Sequence, residues 1–250
     1  MEGKHLTAVF GFLAFAGTFL SLAALVASII AIRLAGEDRL AGWFGRATAW
    51  LFAGRGLARK LAGVALVLVA GYGTTLLAAS VASRERVLSA TEEKYFCEID
   101  CHLAYSIAGV ERTRILAANP TEPSAAGEFY VVSVRTRFDE HTISPHRGDS
   151  PLAPPPRIVT VVDAQGRSYA VSALGQQALE NLLGPRWISP TTPLRPGESY
   201  VTHFVFDSPT GVTEPKLLIE SPTSPAWIGR VVIGDEDSFF HKKVYLRLPN

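Results

Sequence analysis

Charge is what this chain has least of. Only 19% of its 250 residues are Asp, Glu, Lys or Arg, and the formal net charge is +1. That is below the usual quarter for soluble domains. With no basic stripe to meet phosphates, nucleic acid is excluded as a partner class. The motifs that announce catalysis are missing too. The sequence has no GxSxG elbow, P-loop, GxGxxG or HExxH. Sulfur is equally sparse, with one methionine, Met1, and two cysteines, Cys97 and Cys101.

The scarcity of charge is uneven. Residues 6–32 and 61–83 contain no charged side chain. Each run is long enough to cross a ~30 Å hydrocarbon core at 1.5 Å per residue. The first is also too long for the ~7–15-residue apolar region of a signal peptide. The connecting residues 33–60 carry Arg33, Arg39, Arg46, Arg55, Arg59 and Lys60 against Glu37 and Asp38. The positive-inside rule puts this loop in the cytoplasm. The prediction is a two-pass inner-membrane hairpin over 1–90, with both termini and residues 91–250 on the extracytoplasmic side.

Within the loop, Trp43, Phe44, Ala47, Trp50 and Leu51 recur at helical spacing. They suit an interfacial helix or an ordinary packing helix. Gly11, Ala14, Gly17, Ser21, Ala24 and Ser28 form a small-residue stripe on the first run. Gly63, Ala70, Thr74 and Ala78 do so on the second. Such stripes let helices approach closely in lipid, against each other or against a second membrane protein. Neither run has an acid, Lys, Arg or His in its interior, which disfavours transport by this pair alone.

The remainder reads as all-β. In EFYVVSVRTRF, Tyr130, Val132, Val134 and Phe138 share one face, and Arg135 and Arg137 the other. RIVTVVDAQGRSYAV reads as a hairpin turning at residues 163–166. Residues 200–206 are apolar on both faces, which suggests a central strand. Residues 216–220, 228–233 and 241–248 supply further strands. A helical insert is expected over 172–183, capped by Ser172 and stopped by Gly184 and Pro185. The expected fold is two transmembrane helices followed by a two-sheet sandwich with one short helix.

The order of these elements resembles the immunoglobulin-like bacterial extracytoplasmic family that includes the mycobacterial immunoprotective secreted antigen. The resemblance rests on residues 101–110, the Gly127-led strand, the DAQGRSY hairpin, Leu194-Arg195-Pro196-Gly197, and the strands 200–206 and 216–220. It covers about 120 residues and implies an extracytoplasmic sandwich with no common chemistry.

YFCEIDCHLAYS, residues 95–106, is the main chemical candidate. Cys97, Cys101 and His102 could hold copper or zinc, or the cysteines could form a redox pair or a disulfide. The layout resembles cytochrome oxidase subunit two, whose copper centre uses Cys-x3-Cys. Here, however, the motif opens the β domain, Glu98 follows the first cysteine directly, and the only methionine is Met1. No copper ligand set is therefore carried over. Read as one straight strand, the segment puts its cysteines about 13 Å apart at ~3.3 Å per residue. A disulfide needs Cα atoms within ~7 Å. A turn at residues 98–100 would remove that obstacle, so disulfide, separate buried thiols and metal site all stay open.

Residues 138–156, with Asp139, Glu140, His141 and His146, read as a solvated connection or a ligand loop. Arg147-Gly148-Asp149 is too short a match to an adhesion tripeptide to carry weight. His203 reads as a packed strand histidine. The functional expectation is a non-catalytic, membrane-anchored binding or accessory subunit. Its expected partners are the lipid bilayer and another membrane protein, and no cofactor is expected. The alternative is a metal or thiol redox protein.

Overall fold

A computed structural model of the chain describes residues 13–23, 57–96, 102–116, 124–144, 146–221 and 227–249. The chain divides into two compact units. One comprises Met1–Ser83 with Arg230–His241, the other Arg84–Gly229 with Lys242–Asn250.

In the first unit, α1 (Leu13–Ala23) and α2 (Leu57–Ala82) are apolar helices. α2 contains a 20-residue window, Gly63–Ala82, long and apolar enough to cross a membrane. Among the described residues it is the one such helix, where the sequence predicts two. The described part of α1 has eleven residues, about 16 Å at 1.5 Å each. The rest of 6–32, including Gly11, Ala24 and Ser28, lies outside the described residues, as does the Trp43–Trp50 pattern. α1 meets α2 through Phe15, whose ring centroid is 6.3 Å from that of Tyr72. Its half-buried positions are Phe15, Ala16, Thr18 and Leu22, while Ala14, Gly17 and Ser21 are exposed. A Cβ added at Gly17 would meet nothing within 4 Å. The described part of the stripe therefore faces away from α2.

The unit is completed by Arg230–His241, which begins with the last two residues of a short helix, α4 (Trp227–Val231), and continues in turns. Residues 228–233 were expected to be a strand. Residues 228–231 instead belong to α4 and residues 232–233 to the bend and turn after it, and the Tyr72 hydroxyl donates to the Val231 carbonyl at 2.6 Å.

The second unit is a two-sheet sandwich, as the alternation predicts. One sheet has five strands in the order β1-β9-β8-β5-β6. These are β1 (Arg86–Leu88), β9 (Val244–Arg247), β8 (Lys216–Glu220), β5 (Ile158–Val162) and β6 (Ser168–Ala170). The other has four in the order β2-β3-β4-β7. These are β2 (Lys94–Tyr95), β3 (Leu103–Ile115), β4 (Ser124–Phe138) and β7 (Ser199–Ser208). The expected face of β4 is buried, and Tyr130, Val132, Val134 and Phe138 join Leu217, Ile219 and Leu246 in one core. The β5–β6 hairpin turns at Gly166, φ 78°. The Asp163 carboxylate fastens it, accepting from the Gln165 and Arg167 N–H groups, each at 2.9 Å.

β7 is not central but lies at the end of its sheet. Both its faces are apolar because one meets the core and the other lies under α3 (Ala173–Leu183). Ser172 caps α3, its hydroxyl accepting from Gly175 N–H, and the helix ends at Gly184. A Cβ at Gly175 would lie 2.7 Å from Val205 Cγ1, so glycine lets the helix settle onto the sheet. Beneath it Phe129, Val131, Leu179 and Val205 form a second small core.

Candidate functional site

Three strands bring the most concentrated polar chemistry together at one end of the four-stranded sheet. β2 and β3 are antiparallel, with Tyr95 opposite Ala104 and Lys94 opposite Tyr105. Ala104 in turn lies opposite Arg137 of β4. Tyr95, Ala104 and Arg137 thus form one row across the sheet, and the small Ala104 side chain lets its neighbours meet above it. Strand alternation puts Glu93 on the same side as Tyr95 and turns Lys94 inward.

Arg137 grips Glu93 with two parallel hydrogen bonds, Nε to Oε1 at 2.8 Å and Nη2 to Oε2 at 2.6 Å. Its Nη1 lies 3.3 Å from Asp139 Oδ1. The Tyr95 hydroxyl is 2.8 Å from Glu93 Oε2 and 2.7 Å from Asp139 Oδ2. One phenolic proton therefore serves two carboxylates. Asp139 also caps the short 3-10 turn that follows it, accepting from His141 N–H at 3.1 Å.

The electrostatics lock this set. Arg137 donation outweighs burial at Glu93 and lowers its pKa. Burial alone would raise Asp139, but the Tyr95 hydroxyl, Arg137 and the His141 N–H hold it at about 2. Burial and the two carboxylates push the Tyr95 phenol up, and Glu93 raises Arg137. All four groups are driven away from neutrality. General acid–base catalysis needs a pKa near the working pH, so this arrangement suits a brace rather than a proton relay.

Lys94, on the inner face of β2, is 3% exposed. Its ammonium donates to the Ile219 carbonyl at 2.8 Å and the Val244 carbonyl at 2.9 Å, tying this sheet to β8 and β9 of the other. It also lies 4.8 Å from the centroid of Phe96, whose ring has Arg157 at 3.9 Å.

Of the predicted ligands, Cys97 and Cys101 lie outside the described residues. His102 is described: Nδ1 is 2.7 Å from Thr142 Oγ1, and the ring stacks on Phe138 at 5.7 Å. Thr142 Oγ1 donates its one proton to the Asp139 carbonyl. Among the described residues, no three His, Cys, Asp or Glu side chains cluster as a metal site would.

The expected straight strand through residues 95–106 does not form. Tyr95 and Ala104 are cross-strand partners, so the chain reverses between them. The 13 Å separation, which assumed a straight strand, no longer follows. Asp139 is braced and 7% exposed rather than solvated. Arg147 of the RGD tripeptide sits 4.7 Å from the Phe138 centroid, and Asp149 pairs with Arg195 at 2.9 Å. His203 Nδ1 bonds Ser133 Oγ at 2.8 Å on the neighbouring strand.

At the other end of β4 an open groove of about 680 Å³ is lined by Arg114, Gly127, Tyr169, Asp207 and Pro209 among others. Two of its polar side chains, Asp207 and Tyr169, are engaged locally. Asp207 accepts from the Ala126 and Gly127 N–H groups, and the Tyr169 hydroxyl donates to Asp163.

No protein-family model and no curated protein sequence matches this chain. Among solved structures, the yjhA protein from Bacillus subtilis is 12% identical, over 65% of this chain and 100% of its own, with a TM-score of 0.36. The secreted protein MPT63 from Mycobacterium tuberculosis is 15% identical, over 57% of this chain and 100% of its own, also at 0.36. A conserved hypothetical protein from Bacillus anthracis is 14% identical, over 51% and 92%, at 0.35. None of these likenesses singles out a family.

Proposed function

We propose that this chain is a membrane-anchored accessory or binding protein, non-catalytic, whose β-sandwich stands on the extracytoplasmic face of the inner membrane. The observation that carries the reading is α2. Its candidate span is only 6% buried, and Leu66, Val67 and Val81 are each about 70% exposed. Apolar surface of that extent in water costs roughly 25 cal/mol per Å², and lipid removes that cost. The residues 61–83, with the basic residues before them, support a span whose outer end leads into the sandwich. A first span over 6–32 completes the two-pass topology. The locked Glu93–Tyr95–Arg137–Asp139 brace supports a scaffold more than a reaction centre. A membrane-protein partner has a stripe to meet, since Gly63, Ala70, Thr74 and Ala78 share one side of α2 and are all exposed.

Alkaline carbonate washing of membranes from expressing cells tests the anchor. The chain stays in the pellet, and its release into the supernatant would count decisively against this reading. Protease added to intact spheroplasts tests the topology, because it should digest the sandwich from outside. Purification in mild detergent tests the partner.

A second reading keeps its place because of the β2–β3 reversal. With the chain turning back between Tyr95 and Ala104, Cys97, Cys101 and His102 are compatible with a copper or zinc site, or the cysteines with a disulfide. Metal analysis of the purified chain with a thiol count under non-reducing conditions separates these states. Two blocked thiols and no metal would remove the metal reading and leave the disulfide.

A further inference from the structure

We propose that Arg230–His241 is a lipid-contacting collar on α2 that seats Phe239 and Phe240 in the outer interfacial layer of the bilayer; this rests on α2 being the span. The segment touches the helix at two levels. The Tyr72 hydroxyl donates to the Val231 carbonyl at 2.6 Å, and Ser80 Oγ lies 3.1 Å from Ser238 Oγ in a buried contact. Eight residues of helix separate the two, about 12 Å. Between them the loop closes on itself. Phe239 N–H donates to the Arg230 carbonyl, Asp235 N–H to that of Val232, and Ser238 N–H to that of Asp235. A segment whose backbone bonds are made internally can approach hydrocarbon at low cost.

Length and charge fix the depth. α2 has 26 residues, about 39 Å, against a hydrocarbon thickness of about 30 Å, so roughly six residues must emerge. Arg59 and Lys60 at the inner end can snorkel on long stems. Asp235, Glu236 and Asp237, all half-buried, lie in the collar between its contacts at Val231 and Ser238. With Gly63–Ala82 as the span, the emerging residues are Leu57–Ala62, and Ser80 lies two residues, about 3 Å, from the outer end, so the Ser238 contact marks the outer boundary. Phe239 and Phe240, 50% and 74% exposed, follow Ser238 directly. Large apolar side chains left open on a loop fastened to a span at this level fit the boundary between headgroups and acyl chains.

Three variants of the full chain in phosphatidylcholine nanodiscs test this: Val69→Trp in α2, Phe239→Trp and Phe240→Trp. Emission gained over the unsubstituted chain is measured with shallow-brominated and deep-brominated phosphatidylcholine. All three positions are exposed, so the substitutions leave packing intact. The expected result is loss of the added emission at 239 and 240 with shallow bromines, and at 69 with deep ones. Quenching at 69, with 239 and 240 open to aqueous acrylamide and untouched by either lipid, would overturn the collar and leave the span standing. Deep quenching at 239 and 240 would overturn the interfacial placement. No quenching at 69 would instead defeat the membrane reading itself.

Discussion

Asp139 offers a stability measurement that reports directly on the brace. Its carboxyl is held at about 2, against 3.8 for the free side chain. At 1.36 kcal/mol per pKa unit, that difference is worth about 2 kcal/mol. The side chain is 10% exposed, so solvent screening removes little of this. The folded-state value is depressed, so the contribution is complete above about pH 5 and lost as pH falls toward 2. About half remains at pH 3. The Asp139→Asn variant should therefore be less stable than the parent by about 2 kcal/mol at pH 7, and by about half that at pH 3. Urea denaturation of the full chain in detergent, followed by near-UV circular dichroism, gives both numbers. Urea is preferred because guanidinium chloride would screen the charges. A gap of equal size at pH 7 and pH 3 would refute the electrostatic account, leaving a loss of shape rather than of charge.

Three further outcomes follow from packing and caps. Ser172→Ala removes the hydroxyl that accepts from Gly175 N–H and should cost about 1 kcal/mol, read as a lower urea midpoint with unchanged slope. Gly127→Ala would put a Cβ 2.3 Å from the Ser208 carbonyl oxygen and 2.8 Å from Pro209 Cα, both backbone. It should cost about 1–3 kcal/mol, and a melting temperature equal to the parent's would show that the β4–β7 edge yields freely. Lys94→Met keeps the apolar stem but removes the donor to the Ile219 and Val244 carbonyls. A loss of about 1.5–3 kcal/mol is expected, and amide exchange should quicken in β8 and β9.

What could be read from the sequence was local. Ser172 and Gly184-Pro185 bracket a helix within their own neighbourhood, and the 163–166 turn needs only Asp163 and Gly166. The buried face of β4 follows from its own alternation. What could not be read depended on a distant partner. β7 has two apolar faces, and periodicity reports that both are covered without saying by what; α3 covers one of them. The alternation over residues 95–106 runs on as if along one strand, yet Tyr95 and Ala104 face each other. A period of two cannot see a reversal between two strands that both alternate. Residues 228–233 have β-branched side chains suited to a strand, but they end a short helix and turn, and the Val231 carbonyl is taken by Tyr72, some 150 residues earlier. In the brace, Arg137 was correctly turned away from the core. Its choice of Glu93, 44 positions earlier, is settled only when β2 joins the sheet.

The parallel pairing of β1 with β9 joins Arg86 to Val244, and it sets a schedule for synthesis. About 160 residues must be made between the two strands. At ribosomal speeds that is about 10–30 s. Through that interval β1 has no neighbour, and the Val244 carbonyl that receives the Lys94 ammonium does not yet exist. Until β9 is made, the β8 edge that it covers stays open and β1 has no strand to join.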